Sequence, residues 1–146
     1  MTAREGSTRA TAFLTYARMA VLQKNKGEIL VVEDDFAIRE TLRELLEDEG
    51  YRVAWAANGK EALARLHERA PRVILLDLMM PVMDGWEFRV AQQRDPALAN
   101  IPVVVISADH GLDHKVSGLG VDGWLAKPFE LDALLATVDR YAQPSA

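Results

Sequence analysis

From Glu28 onward, short apolar runs alternate with segments in which apolar residues recur every three or four positions. Ile29-Leu30-Val31-Val32, Val73-Ile74-Leu75-Leu76 and Val103-Val104-Val105-Ile106 are unbroken runs, the pattern of a strand buried on both faces. Residues 52–56, where Val53 and Trp55 alternate with more neutral positions, predict a weaker strand, and Trp124-Leu125-Ala126 predicts a fifth. Between them the helical period appears. Residues 36–49 place Ile38, Leu42, Leu45 and Leu46 on one face. Further helices are predicted from Asn58-Gly59 to about residue 70, over 85–93, over 112–119 and from 130 to about 141. The last of these has Leu131, Leu134, Leu135 and Val138 facing inward. Gly50 and Pro71 stop the first two helices, and Gly111 and Gly120 bound the fourth.

Buried strands alternating with helices imply an α/β fold: a five-stranded parallel sheet with right-handed crossovers and helices on both faces. In such sheets a ligand site lies beyond the carboxyl ends of the strands. Glu33-Asp34-Asp35 follows the first strand, Asp77 the third, Ser107 the fourth, and Lys127-Pro128 the fifth. Taken singly, each has a plain reading: Asp35 as the cap of the first helix, Ser107 as a turn residue, Lys127 as a surface charge. Their coincidence at one sheet edge points to chemistry. Gathered carboxylates repel unless a cation joins them. An oxygen-only donor set suits Mg²⁺, and none of the strand-end residues is a histidine that would favour a softer metal. With a lysine and a hydroxyl beside it, such a site meets the needs of phosphoryl transfer, which are positioning and charge neutralisation. Asp77 then stands as a nucleophile able to form an acyl phosphate.

Composition narrows the picture. At 146 residues, 49% hydrophobic and 27% charged, the chain has the balance of one globular domain. It has no cysteine, which excludes thiolate metal sites and cysteine nucleophiles. No apolar run is long enough to span a membrane. The net charge of −5 argues against general nucleic-acid binding. That charge is uneven, because residues 1–26 carry Arg4, Arg9, Arg18, Lys24 and Lys26 against Glu5 alone. Arg4 and Arg9 ahead of an apolar stretch resemble a secretory leader, yet Arg18 interrupts that stretch and no small-residue cleavage site follows. The expectation is a flexible or short helical extension.

The segments Val31-Val32-Glu33-Asp34-Asp35, Leu75-Leu76-Asp77-Leu78-Met79-Met80-Pro81-Val82-Met83-Asp84-Gly85, Val105-Ile106-Ser107-Ala108 and Leu125-Ala126-Lys127-Pro128-Phe129 resemble, in order and placement, the receiver domains of two-component response regulators. The resemblance runs from about residue 28 to 141. It implies a flavodoxin-like (βα)5 fold with strand order 2-1-3-4-5, residues 27–146 as the receiver and 1–26 as a basic extension. It makes Asp77 the phosphoacceptor. Mg²⁺ would be held by Asp34, Asp77, the backbone carbonyl of Met79 and, through water, Glu33. Ser107 and Lys127 would contact the phosphoryl group, and the Lys127–Pro128 peptide is expected to be cis. Ser107 and Trp124 would form the switch, with Trp124 turning inward as Ser107 is drawn to the phosphate.

The implied partners are a sensor histidine kinase or histidine phosphotransfer protein upstream and a protein target downstream. Direct DNA binding is not implied, and a cytoplasmic monomer or weak homodimer is expected. With few residues after Tyr141, a stand-alone type is expected, catalysing only its own phosphorylation and dephosphorylation. Some features depart from the pattern. Ser107 and Lys127 are closely spaced, and Gly111, Gly118 and Gly120 weaken the fourth helix, which puts the usual dimer face in doubt. Met79 and Asp109 flank the site, and Met79 cannot orient an attacking water through its side chain, so slow phosphate loss is expected. His110 and His114, four apart, lack a third ligand and are read as solvated, as is His67. Trp86 and Phe88 are read as packing residues. Two other functions compete: a degenerate receiver that only binds a partner, and an aspartate-nucleophile phosphatase of the haloacid dehalogenase type. The latter expects its nucleophile on the first strand.

Overall fold

The computed structural model describes residues 26–108 and 118–143, with Ala12 apart from them. Five parallel strands form one sheet in the order β2-β1-β3-β4-β5: β1 Glu28–Val32, β2 Arg52–Ala56, β3 Val73–Asp77, β4 Val103–Ser107 and β5 Gly123–Ala126. The described helices are α1 Phe36–Asp48, α2 Gly59–Glu68, α3 Gly85–Arg94 and α4 Leu131–Ala142. This is the flavodoxin-like arrangement. The predicted helix over 112–119 falls mostly outside the described residues, as do His110, His114, Asp109 and the N-terminal extension. Gly118 to Gly120 form a turn.

The alternation of side chains along each strand builds two cores. Leu30, Val32, Ile74, Leu76, Val103 and Val105 face Ala62 and Leu66 of α2 and Phe88 of α3. Ile29, Val31, Val73, Leu75, Val104 and Ile106 face Leu42 and Leu46 of α1 and Leu134 and Val138 of α4. Every residue of β3 and β4 is buried, so up to the polar residues that close them, Asp77 and Ser107, these strands read as unbroken apolar runs. Trp86 packs partly buried at the edge of the first core, while Phe88 is fully buried.

Helix ends follow local chemistry. Asp35 caps α1 by accepting from the Ile38 N–H, and Gly50 at φ +102° ends it. Asn58 caps α2. Asp84 and Glu87 make a reciprocal capping box at α3.

Two apolar expectations are corrected. Leu131 is 44% exposed rather than inward-facing. The buried stripe of α4 runs Leu134, Val138, Ala142 at a spacing of four, and Leu131 is left in the first turn. Trp55 is 40% exposed on edge strand β2, where Ala56 is the fully buried residue. Conversely, besides Glu33, Asp77 and Ser107 at the strand ends, the polar residues Arg39, Arg89 and Gln92 are buried. Arg89 donates to the carbonyls of Leu119 and Gly120 at 3.0 and 2.8 Å, and Gln92 to those of Leu98 and Ile101. These buried side chains satisfy the backbone of the loops flanking β4.

Candidate functional site

Strand register sets the geometry of the sheet's carboxyl edge. Asp77, the last residue of β3, lies beside Ile106, and Ser107 lies one step further along β4 beside Ala126. Lys127 follows directly, its N–H bonded to the Ser107 carbonyl at 2.8 Å. Glu33 and Asp34 leave the end of β1. Glu33, Asp34 and Asp77 each present a carboxylate oxygen within 4.8 Å of the others. Asp35 takes no part in this cluster, because its side chain caps α1.

Burial within the cluster is unequal. Glu33 and Asp77 are 1% and 5% exposed, whereas Asp34 faces solvent. Lys127 bridges the buried pair, its Nζ 2.8 Å from Glu33 Oε2 and 3.7 Å from Asp77 Oδ2. The Met79 N–H lies 3.3 Å from Asp77 Oδ1 and holds the carboxylate toward the following loop. Burial pushes the Asp77 carboxyl above its ordinary value, against the opposing charge of Lys127. Burial also pushes Glu33 up, with the charge of Asp77 adding to it and the Lys127 hydrogen bond resisting. One lysine therefore does not fully offset the burial of these carboxylates and, to a lesser degree, their mutual repulsion. An added cation would favour their ionised forms, and the all-oxygen donor set fits a hard divalent ion.

The site is framed by close backbone approaches. A Cβ on Gly85 would lie 2.7 Å from Leu78 Cα and 2.8 Å from the Asp77 carbonyl oxygen, so α3 can start this near β3 only with glycine there. The Gly59 N–H bonds the Met83 carbonyl, tying α2 to the same loop. The Lys127–Pro128 peptide is cis. Ser107 is buried, and Trp124, 45% exposed, stands on β5 opposite Val105. Beside the cluster opens an apolar cleft of about 550 Å³, lined by Ile38, Thr41, Ala108, Lys127, Pro128 and Phe129 among others.

The residues expected from sequence thus meet at one edge, with one partner unforeseen. Arg39, on α1, donates from Nη1 to the Glu33 carbonyl at 3.0 Å. Its only trace in the sequence is its position three before Leu42 and seven before Leu46, on the apolar stripe.

The chain matches the response regulator receiver domain over residues 29–139. It is 43% identical over 110 residues to the response regulator MprA of Mycolicibacterium vanbaalenii, covering 74% of this chain and 47% of that protein. The chain thus spans about half the length of the curated relatives it matches. Among solved structures it resembles the signal receiver domain of a histidine kinase from Syntrophus aciditrophicus (33% identity, TM-score 0.74, 80% of this chain and 89% of that one). It also resembles the receiver domain of the sensor kinase PA1611 from Pseudomonas aeruginosa (27% identity, TM-score 0.74, 80% and 97%), whose structure holds a magnesium ion in the active site cleft. By its matched span, its fold and the residues at its sheet edge, this chain belongs to the response regulator receiver domain family.

Proposed function

We propose that the protein is a phosphorylation-controlled signalling module in which Asp77 accepts a phosphoryl group from the phosphohistidine of a sensor kinase or phosphotransfer protein. The observation that carries this reading is the buried Asp77 carboxylate, grouped with Glu33 and Asp34 and 3.7 Å from the Lys127 ammonium. A carboxylate oxygen of Asp77 attacks phosphorus, the P–N bond breaks, and the imidazole leaves and takes a proton. The product is an acyl phosphate, which hydrolysis returns to free Asp77. Mg²⁺ would be held by Asp34, Asp77, the Met79 carbonyl and, through water, Glu33, and when bound it supplies neutralisation of phosphoryl charge. Lys127 pairs with one phosphoryl oxygen and Ser107 donates to another. Drawing Ser107 toward the phosphate opens space for Trp124 to turn inward.

On this reading residues 27–146 are the receiver and 1–26 a basic extension. The protein acts in the cytoplasm as a monomer or weak homodimer, modifies only itself, and signals by binding a protein target or relaying the phosphate. The apolar cleft beside Lys127 supports approach of a protein donor. The test is incubation with a small phosphodonor and Mg²⁺, followed by intact mass. One added phosphoryl group is expected, absent in EDTA and in Asp77→Asn. No addition would leave only a binding module, and addition to Asp77→Asn would remove Asp77 from the role.

A further inference from the structure

Arg39 grips the metal-site turn from behind. The carbonyl that accepts its Nη1–H belongs to the peptide joining Glu33 to Asp34, so it governs the tilt between two of the three clustered carboxylates. The N–H of Glu33 is held as well, by the Ala56 carbonyl of β2 at 3.0 Å. Arg39 itself is braced. Its guanidinium centre lies 4.0 Å from the Trp55 ring centre and 5.6 Å from that of Phe36, and the side chain is 8% exposed although charged. Adjacent residues of β2, Trp55 and Ala56, therefore buttress the turn, one through the arginine and the other directly. A planar guanidinium can stack on a ring and donate at its edge together, and an ammonium reproduces only the charge and the donor.

We propose that Arg39 is a positioning residue for divalent-cation binding, holding the Glu33–Asp34 peptide so that the carboxylates of Glu33 and Asp34 meet that of Asp77, with Trp55 holding Arg39 in place. This rests on the reading of the acidic cluster as a cation site. Groups that support metal ligands from behind typically change affinity by about 10- to 100-fold when removed. The test is a magnesium chloride titration followed by amide NMR shifts for the wild type, Arg39→Met, Arg39→Lys and Trp55→Leu, with thermal unfolding in EDTA as the separate measure of structural cost. Arg39→Met should weaken Mg²⁺ binding about tenfold or more. Arg39→Lys and Trp55→Leu should each weaken it by a smaller, measurable factor. Affinities within about twofold of wild type in Arg39→Met and Trp55→Leu, whatever happens to the melting temperature, would overturn the proposal and leave Arg39 a purely structural contact. If Arg39→Met does not fold, Arg39→Lys and Trp55→Leu decide by the same twofold limit. A wild type that binds no Mg²⁺ overturns the cation-site reading itself, and this inference with it.

Discussion

Removing the Asp77 charge should stabilise the metal-free protein. In Asp77→Asn the side chain keeps its shape, its oxygen can still accept from Met79, and its new N–H group can donate toward Glu33. At an effective dielectric constant of about 20, two carboxylate charges at the 4.8 Å upper limit of the cluster repel by about 3.5 kcal/mol, and Lys127 at 3.7 Å attracts Asp77 by about 4.5 kcal/mol. These nearly cancel, and Asp34, being exposed, adds little. Burial then decides the sign: a carboxylate 5% exposed loses several kcal/mol of hydration. Lys127 stays compensated in the variant by Glu33 at 2.8 Å. The expected net gain is about 1–2 kcal/mol, or roughly 4–8 °C in melting temperature.

The pH dependence follows from the raised Asp77 carboxyl. The unfolded chain gives up this proton at a lower pH than the folded one, so ionisation costs wild-type stability as pH rises. The advantage of the asparagine variant is therefore full above the raised folded value and vanishes as pH falls to the ordinary 3.8. Saturating Mg²⁺ should narrow or reverse the gap, since the variant lacks one of three carboxylates. Thermal unfolding in EDTA and in Mg²⁺, at pH 7 and pH 4, measures all of this. A variant no more stable than wild type in EDTA at pH 7, or an advantage undiminished at pH 4, would refute the reasoning.

Two further substitutions probe the loop after Asp77. Gly85→Ala places a methyl group against backbone atoms of Leu78 and Asp77 that cannot swing aside. It should cost about 1–3 kcal/mol in urea unfolding and slow phosphorylation by a small phosphodonor, and a neutral result on both would show the loop to be compliant. Val82 is a β-branched residue at φ +69°, on the surface. Val82→Asn should raise the unfolding free energy by about 1 kcal/mol, read as a higher urea midpoint with an unchanged slope, because asparagine tolerates the left-handed region; a lowered midpoint would count against strain there.

Asp77 and Ser107 were legible because a strand buried on both faces reads as an apolar run, and the polar residue closing it must sit at the sheet edge. Lys127 follows the partly exposed edge strand β5, whose short Trp124-Leu125-Ala126 run was a weaker signal. Strand and helix order were legible for the same reason, and Asp35 as a cap because its hydrogen bond spans only three residues. The contacts among these residues were not. Lys127 and Glu33 are 94 positions apart, and only the strand order β2-β1-β3-β4-β5 brings their ends together. The raised Glu33 and Asp77 carboxyls likewise depend on burial that no local pattern reports. Arg39, Arg89 and Gln92 look like surface residues until the backbone carbonyls they satisfy are in place. Leu131 looks like a core residue until the tilt of the buried stripe on α4 leaves it out. Periodicity along the chain determines which residues face inward and where each element ends. Which of those ends meet, at what separation and in what dielectric, is decided by packing between segments distant in the chain, and the chemistry of Asp77 depends on that packing.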